Sequence, residues 1–255
     1  MPRIGFQMIM LNRHSDFAGA LRKAAAMGYQ IAEPWAWKPP VPCLEQHRLA
    51  EAAGLKVCSG HYIPTTEWVQ PFIAELADQL AGAKARAWTM AGGYGGDTVE
   101  AMQASAARLR QFYLDVLAPR GLKVEYHNHS TDIQPRFESR TQVDLLLEHV
   151  PELGFQPDIG NAFIGGQTDT LAFLKHDGQR ITCLHVKDIR PDYREITAGH
   201  GRCAVGEGVV KIAGAVAYAK SLGVEDFIVE QEGGQTDAEI EGVLERSYAC
   251  LAPLL

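Results

Sequence analysis

The chain has 255 residues, of which 46% are apolar and 22% charged, and its formal net charge is −7. That length suits one large domain or two small ones and can bury a core without covalent staples. The basic residues are scattered rather than gathered into a patch, which argues against a nucleic-acid groove or an acidic membrane surface as partner.

Short apolar runs alternate with stretches of helical period along the whole chain. Residues 4–10 read as a strand, followed by a helix over 16–27 with Phe17, Leu21 and Ala24 on one face. A strand at 29–33 precedes a helix at 44–53, stopped by Gly54. A strand at 56–59 leads to a helix at 67–81, where Trp68, Phe72, Leu76 and Leu80 recur every fourth residue. A strand at 85–90 leads to a helix at 97–117, apolar at Val99, Met102, Leu109 and Phe112. The second half repeats the pattern: strands at 123–127, 154–158, 181–185 and 227–230, with helices at 141–150, 170–175, 210–222 and 239–250.

Eight strand–helix units at this spacing mean parallel strands joined by helical crossovers, and eight suit a closed (β/α)₈ barrel better than an open doubly wound sheet. No linker-like segment splits the chain, so one domain over residues 1–255 is expected. The five cysteines (Cys43, Cys58, Cys183, Cys203, Cys250) are odd in number, far apart and without a C-x-x-C pair, which reads as reduced, packed thiols. The first residues run into a strand with no apolar leader, and no window holds 18 consecutive apolar residues. A cytoplasmic protein without a membrane span is expected.

In such a barrel the chemistry sits where strands end and the following loops begin. The second strand ends at Glu33, followed by Trp35 and Trp37, and the third in Gly60-His61-Tyr62. The fifth ends in Glu125-Tyr126-His127-Asn128-His129 and the sixth in Pro157-Asp158-Ile159-Gly160-Asn161. The seventh ends in His185-Val186-Lys187-Asp188 and the eighth in Glu230-Gln231-Glu232. Each has a plain structural alternative: an Asp before Gly serves turns, a lone His is often a hydrogen-bonded core residue, and an acidic residue after a strand caps the next helix. Four consecutive strands ending in metal-ligand types that barrel closure would bring together weigh against four separate accidents. Side chains alternate along a strand, so Glu125, His127 and His129 share one side. With His127 facing the mouth, Glu125 lies one layer deeper. Mixed carboxylate and imidazole donors suit Mn²⁺, Zn²⁺, Co²⁺ or Fe²⁺ better than Ca²⁺.

Taken together, Tyr126-His127-Asn128-His129, Pro157-Asp158-Ile159-Gly160-Asn161, His185-Val186-Lys187-Asp188 and Val205-Gly206-Glu207-Gly208-Val209-Val210 make the chain resemble the xylose-isomerase-like barrels. That superfamily holds sugar and sugar-phosphate isomerases and epimerases as well as apurinic-site endonucleases. By position, the resemblance implies a divalent metal, Mn²⁺ first and Zn²⁺, Co²⁺, Fe²⁺ or Mg²⁺ as alternatives, held by His127, Asp158, His185 and Glu230. Many relatives carry a glutamate where His127 stands, pairing with the last strand's glutamate as the two acid–base groups. Asp132, five residues on, is the alternative for the fourth position. Many relatives also carry a histidine where Asn161 stands. Relatives of this kind form dimers or tetramers, so a homo-oligomer stays open by analogy alone.

The chemistry this implies is a metal-stabilised enediolate, formed when a proton leaves the carbon between a chelated carbonyl and its neighbouring hydroxyl. Glu230 reads as ligand and one acid–base group, with His127, His129 or Asp132 supplying the other, and Lys187 as a fixed cation facing the oxyanion or, equally, a solvated lysine before a helix. Glu33, Trp35, His61, Asp132, Asn161, Arg190 and Arg202 read as substrate-facing. Trp35 and Trp37 would stack on a sugar or merely pack, and Arg190, Arg194, His200 and Arg202 lie in one loop that either grips an anion or is solvated. Gly92-Gly93-Tyr94-Gly95-Gly96 lacks the GK[ST] of a phosphate loop and reads as a flexible turn.

The leading expectation is an isomerase or epimerase of a keto- or aldo-sugar or its phosphate, acting on a small carbohydrate-like molecule. The rival is a dehydratase or lyase acting on a keto-polyol, a dehydroshikimate-like acid or a 3-keto-glycoside. Two further readings, an apurinic-site endonuclease and a metal-free binding barrel, are weaker: the first lacks a basic stripe, and the second would carry no bound divalent metal.

Overall fold

The computed structural model describes residues 1–36, 39–62, 70–92, 94–193, 202–231 and 236–255, with the side chains at positions 70, 71 and 202 left aside. Trp37, Trp68 with the start of the third helix, Gly93, Arg194, His200 and Glu232 lie outside the described residues, as does the side chain of Arg202.

The strands in chain order are β1 (Arg3–Gln7), β2 (Ile31–Glu33), β3 (Ala87–Met90), β4 (Lys123–His127), β5 (Leu153–Gln156), β6 (Leu184–Val186), the short β7 (Asp188–Ile189) and β8 (Arg202–Cys203), and β9 (Asp226–Val229). One run of parallel strands is ordered β2-β1-β9-β6 and another β3-β4-β5. Two seams join them. Segment 56–61 is bonded to the β2 side through Lys56 N to Gln30 O at 2.9 Å and His61 N to Pro34 O at 2.8 Å. On its other side Thr89 N donates to Gly60 O and Tyr62 N to Thr89 O, both at 3.0 Å. Between β5 and β6, Thr182 N donates to Phe155 O and His185 N to Pro157 O, both at 2.9 Å. The sheet therefore closes as a barrel of eight parallel positions: β1, β2, segment 56–61, β3, β4, β5, β6 and β9. The β7–β8 pair is an antiparallel hairpin in the region read from the sequence as a polar loop.

The helices are α1 (Phe17–Met27), α2 (Cys43–Ala52), α3 (Gln70–Gly82), α4 (Val99–Phe112), α5 (Gln142–His149), α6 (Ile159–Ile164), α7 (Thr170–His176), α8 (Ile212–Ser221) and α9 (Asp237–Leu251). Their starts follow local chemistry. Asp16 caps α1 by accepting from Gly19 N at 2.8 Å, and α5 and α9 open with capping boxes built on Thr141–Asp144 and Thr236–Glu239. Gly28, at φ +110°, ends α1 in a left-handed turn. Helix α6 was not expected; it begins directly after Asp158. Among the described residues no helix is long and apolar enough to cross a membrane, and all five cysteines are free.

The period-two alternation fills the barrel in layers. Along β9 the inward residues are Asp226 and Ile228, continued by Glu230. At the bottom, Arg86 Nε donates to Glu125 Oε1 at 2.7 Å and Arg86 also pairs with Asp226, which Arg3 holds from the other side at 2.5 Å. Two cations thus meet two carboxylates, and Glu125, one layer beneath His127 as its register required, is committed to Arg86. A small apolar layer of Ile31, Cys58, Cys183 and Ile228 lies above. Gly5 belongs there because a Cβ would fall 2.5 Å from Ile228 Cδ1 and 2.7 Å from Ile31 Cβ. Polar side chains make the third layer, at the carboxyl ends of the strands.

On α2, His47 is buried, with Nε2 bonded to the Tyr62 hydroxyl and Nδ1 without a hydrogen-bond partner. Burial pushes its pKa down from 6.5 to about 4. The neutral ring is the folded form, so this stability is fully present above pH 6.5 and is lost as pH falls between 6.5 and 4, where the unfolded chain takes the proton first. A shift of that size corresponds to roughly 3 kcal/mol. We expect His47→Gln, which keeps a partner for Tyr62, to flatten the fall in melting temperature across that window relative to wild type, measured by thermal unfolding at half-unit pH steps. Parallel curves for the two proteins would refute the assignment.

Candidate metal centre

Strand ends β2, β4, β5, β6 and β9, with segment 56–61, aim their last inward side chains at one place. His61, His127, His185 and Glu230 each offer a ligand atom, and those atoms all lie within 4.8 Å of one another. The rings crowd together: His61 is 4.3 Å from His127 and stacked on His185 at 5.0 Å, and His127 meets His185 edge-on at 4.5 Å.

Beneath them lies a carboxylate hub. Glu33 is fully buried; its Oε2 accepts from His185 Nε2 at 2.7 Å and from Gln7 Nε2 at 3.2 Å, with His61 Nε2 also 3.2 Å away. Its Oε1 accepts from Gln156 Nε2 at 2.9 Å and from the Ser59 hydroxyl. Gln156 Oε1 in turn meets His61 Nε2 at 2.9 Å and His127 Nδ1 at 3.2 Å. Burial alone would raise the Glu33 pKa, but His61 and His185 beside it hold it well below the usual carboxylate range. These partners fix ring orientations in the way that outer hydrogen bonds fix metal-binding histidines.

On the other flank lies Lys187, a fully buried ammonium. Its Nζ is 2.7 Å from Glu230 Oε1, 2.9 Å from Asp158 Oδ2 and 3.4 Å from Asn161 Oδ1. Burial opposes the charge of Glu230, yet Lys187 and the His185 hydrogen bond keep its pKa well below the ordinary value. Asp158 divides its work: Oδ1 accepts from Asn161 N at 2.8 Å and so caps α6, while buried Oδ2 is ion-paired with Lys187 and lies 3.8 Å from His127 Nε2. Asn128 stitches the β4 exit to β5, its Oδ1 accepting from Asp158 N at 2.9 Å.

Charge decides what the site can hold. Among the described residues, three buried carboxylates (Glu33, Asp158, Glu230) face one ammonium, a deficit of two positive charges if the imidazoles are neutral. His127 is neutral, because burial and then the neighbouring His61 and His185 push its pKa well below 6.5. Burial lowers that of His185 too, but Glu33 and Glu230, one on each ring nitrogen, raise it to about 9. A dication supplies the missing two charges and lets every imidazole stay neutral, so the residues fit a divalent metal. Three imidazoles and a carboxylate are donors for Zn²⁺, Mn²⁺, Co²⁺ or Fe²⁺.

The other residues singled out from sequence fall elsewhere. His129 and Asp132 flank the centre: the half-exposed His129 ring is 5.5 Å from that of His127, and its Nδ1 is 3.5 Å from Asp132 Oδ2. Asp132 also accepts from His129 N at 2.8 Å and from the Tyr126 hydroxyl at 3.2 Å, and stands outside the converging group. Trp35 is buried, its ring 6.4 Å from that of Phe17. Arg190 is exposed and paired with Asp192 at 2.9 Å. Three participants were missed: Gln7, Ser59 and Gln156. Gln156 had a signal, standing two residues before Asp158 on the same strand face. The role of Asp188 and the glycine-rich run after β8 was missed too. The Asp188 carboxylate accepts from the backbone N–H groups of Gly206, Gly208, Val210 and Ile189 at 2.9–3.1 Å, clamping that loop beside β6.

Gly160 is required by Lys187. A Cβ there would fall 2.6 Å from Lys187 Cγ and 2.8 Å from its carbonyl oxygen. We expect Gly160→Ala to lower stability by about 1–3 kcal/mol through overpacking, read as a fall of roughly 2–4 °C per kcal/mol in melting temperature. An unchanged melting temperature would show that Lys187 has another berth.

Comparison with known proteins places this geometry. The profile of the xylose isomerase-like TIM barrel matches residues 21–252. No curated protein matches the chain. Among solved structures, a sugar phosphate isomerase/epimerase from Parabacteroides distasonis ATCC 8503 superposes with a TM-score of 0.79 at 18% identity, covering 100% of this chain and 96% of that one. A probable 3-DHS dehydratase of petrobactin synthesis from Bacillus anthracis gives 0.71 at 16% identity, covering 99% of each. The IolI protein, solved with a bound zinc atom, gives 0.72 at 13% identity, covering 99% of this chain and 97% of that one.

Proposed function

The protein belongs to the xylose isomerase-like TIM barrel family, and from the site it carries we propose a divalent-metal-dependent isomerase or epimerase acting on a small keto- or aldo-sugar or its phosphate. The observation that carries the reading is the two-charge deficit among Glu33, Asp158, Glu230 and Lys187, set against three crowded imidazoles. His127, His185 and Glu230 are three of the donors. A dication held there would polarise a carbonyl and its neighbouring hydroxyl and so lower the cost of removing the proton between them.

The remaining chemistry belongs to the chain. Glu230 holds its carboxylate ionised and accepts a proton on one side of the reacting carbon. His129, backed by Asp132 and half-open to the mouth, is placed to exchange a proton on another side. Lys187 is a fixed cation in a water-poor setting, where it favours charge developing on a substrate oxygen. The sugar isomerase/epimerase likeness of the P. distasonis structure supports this reading. The dehydratase likeness keeps a lyase as second reading, because His127 stands where a second carboxylate base is common among relatives and loss of a β-leaving group needs only one base.

The test is a panel of keto-sugars and keto-acids incubated with the Mn²⁺-loaded protein in D₂O. We expect deuterium at a carbon beside the carbonyl of a stereoisomer or positional isomer; a new C=C bond in the product would instead establish the lyase. Glu230→Ala should slow exchange by about 10²–10⁴-fold. Full turnover in that variant, or no exchange with any substrate by metal-loaded wild type, would overturn the proposal.

A further inference from the structure

We propose that His61, and not Asp158, completes the donor set with His127, His185 and Glu230, giving three imidazoles and one carboxylate around the ion; the inference rests on the metal-dependent reading above. Carry-over by position puts Asp158 in the fourth place, and two observations move it.

The first is convergence. The ligand atom of His61 lies within 4.8 Å of those of His127, His185 and Glu230 together. The three rings form a near-equilateral triangle, His61 lying 4.3 Å from His127 and 5.0 Å from His185, with 4.5 Å between those two. Barrel closure enforces this, because the backbone at 61–62 is bonded into the seam on both sides, His61 N to Pro34 O at 2.8 Å and Tyr62 N to Thr89 O at 3.0 Å. Gln156 Oε1, at 2.9 Å, and Glu33 Oε2, at 3.2 Å, hold the ring's Nε2 edge. Those are the outer partners that a ligating imidazole uses.

The second is the position of Lys187. Its ammonium lies between Asp158 Oδ2 (2.9 Å) and Glu230 Oε1 (2.7 Å). A cation shared by those two oxygens would have to occupy the ammonium's place. Glu230 turns its other oxygen, Oε2, to the imidazoles, 3.0 Å from His185 Nδ1 and 4.0 Å from His127 Nε2. The ion therefore belongs on the Oε2 side. Asp158 stays with Lys187, which is fully buried and would be a costly isolated charge if both neighbouring carboxylates were drawn to the metal. Asp158 is also fixed through Oδ1 as the cap of α6.

The consequence is chemical. One anionic ligand and three neutral ones form a softer set than two carboxylates would, and it favours Zn²⁺, Co²⁺ or Fe²⁺ over Mg²⁺.

Zn²⁺-loaded full-length protein would be studied by X-ray absorption, in which imidazole rings give a countable multiple-scattering signal; three are expected, and two would overturn the proposal. In parallel, Zn²⁺ affinity is read by competition with a chromophoric chelator for His61→Gln and Asp158→Asn, with circular dichroism to monitor folding. We expect His61→Gln to weaken binding by about 100-fold or more, and Asp158→Asn by less than about tenfold, as for a residue outside the ligand shell. The reverse order would return the fourth place to Asp158. Should either variant fail to fold, the ring count on wild type decides. Wild type that binds neither Zn²⁺ nor Mn²⁺ would instead refute the metal-dependent reading itself.

Discussion

Everything at the mouth of this barrel depends on Lys187, an ammonium with no measurable exposure lodged between two carboxylates. An isolated buried charge is costly, and removing one partner of such a pair exposes that cost. Asp158 and Glu230 offset it, but they reach Lys187 from strand ends far apart in sequence, so the pairing exists only while the ring of strands is closed. Gly160 is the local device: helix α6 must pass within contact of the Lys187 stem, and no side chain fits between. The same interaction that fixes the lysine leaves the other oxygen of Glu230 facing the imidazoles, so charge pairing orients the carboxylate proposed as ligand and base.

The two ends of the barrel interior use charge differently. At the bottom, Arg3 and Arg86 balance Glu125 and Asp226, and the set is complete in itself. Four elements are tied across the axis there, with nothing left to offer a ligand. At the top, among the described residues, the carboxylates outnumber the ammonium, and a protonated histidine or an added cation finishes the balance. Between them, a thin layer of Ile31, Cys58, Cys183 and Ile228 keeps the two polar sets apart. Because side chains alternate with period two, a single strand serves all three levels, as Asp226, Ile228 and Glu230 do. Stability is thereby assigned to the amino ends of the strands and function to the carboxyl ends.

The architecture was legible because strand–helix alternation is a local property repeated eight times, and most helices begin within a residue or two of their caps. Strand β1 stops earlier than its apolar run, since Met8–Leu11 turns into a short helix with buried Met8, Met10 and Leu11. Hydrophobicity reports burial and cannot say whether the backbone stays extended. The third barrel position was readable as a strand, yet its hydrogen bonds form isolated bridges rather than a ladder. The site was legible as a set of strand-end residues but not as a geometry. His61 looked like one substrate-facing residue among several, because its nearness to His127 and His185 is made by closure of the seam and by no spacing in the chain. Gln156 and Ser59 were passed over because uncharged polar residues in a core carry no signal until a buried carboxylate needs them. Trp35 stayed open for the converse reason: an aromatic after a strand suits both a sugar face and a packed flank, and chain spacing does not separate the two.

An imidazole in place of a carboxylate at His127 has consequences beyond the missing base. As a neutral ligand in the proposed centre, His127 would leave one negative charge fewer beside the ion, so the field at the mouth would be more positive than with two acidic ligands. Unscreened by water, that extra charge acts at short range and is felt most by a substrate that gains negative charge as it reacts. Loss of a base and gain of field thus arise from one substitution. In the proposed reaction proton transfer falls to Glu230 and the His129–Asp132 pair, while His127, kept neutral by burial and by the neighbouring His61 and His185, offers one N–H and one lone pair. A neutral imidazole held by Gln156 on one nitrogen and facing the carboxylates with the other has the form of a ligand rather than of a base.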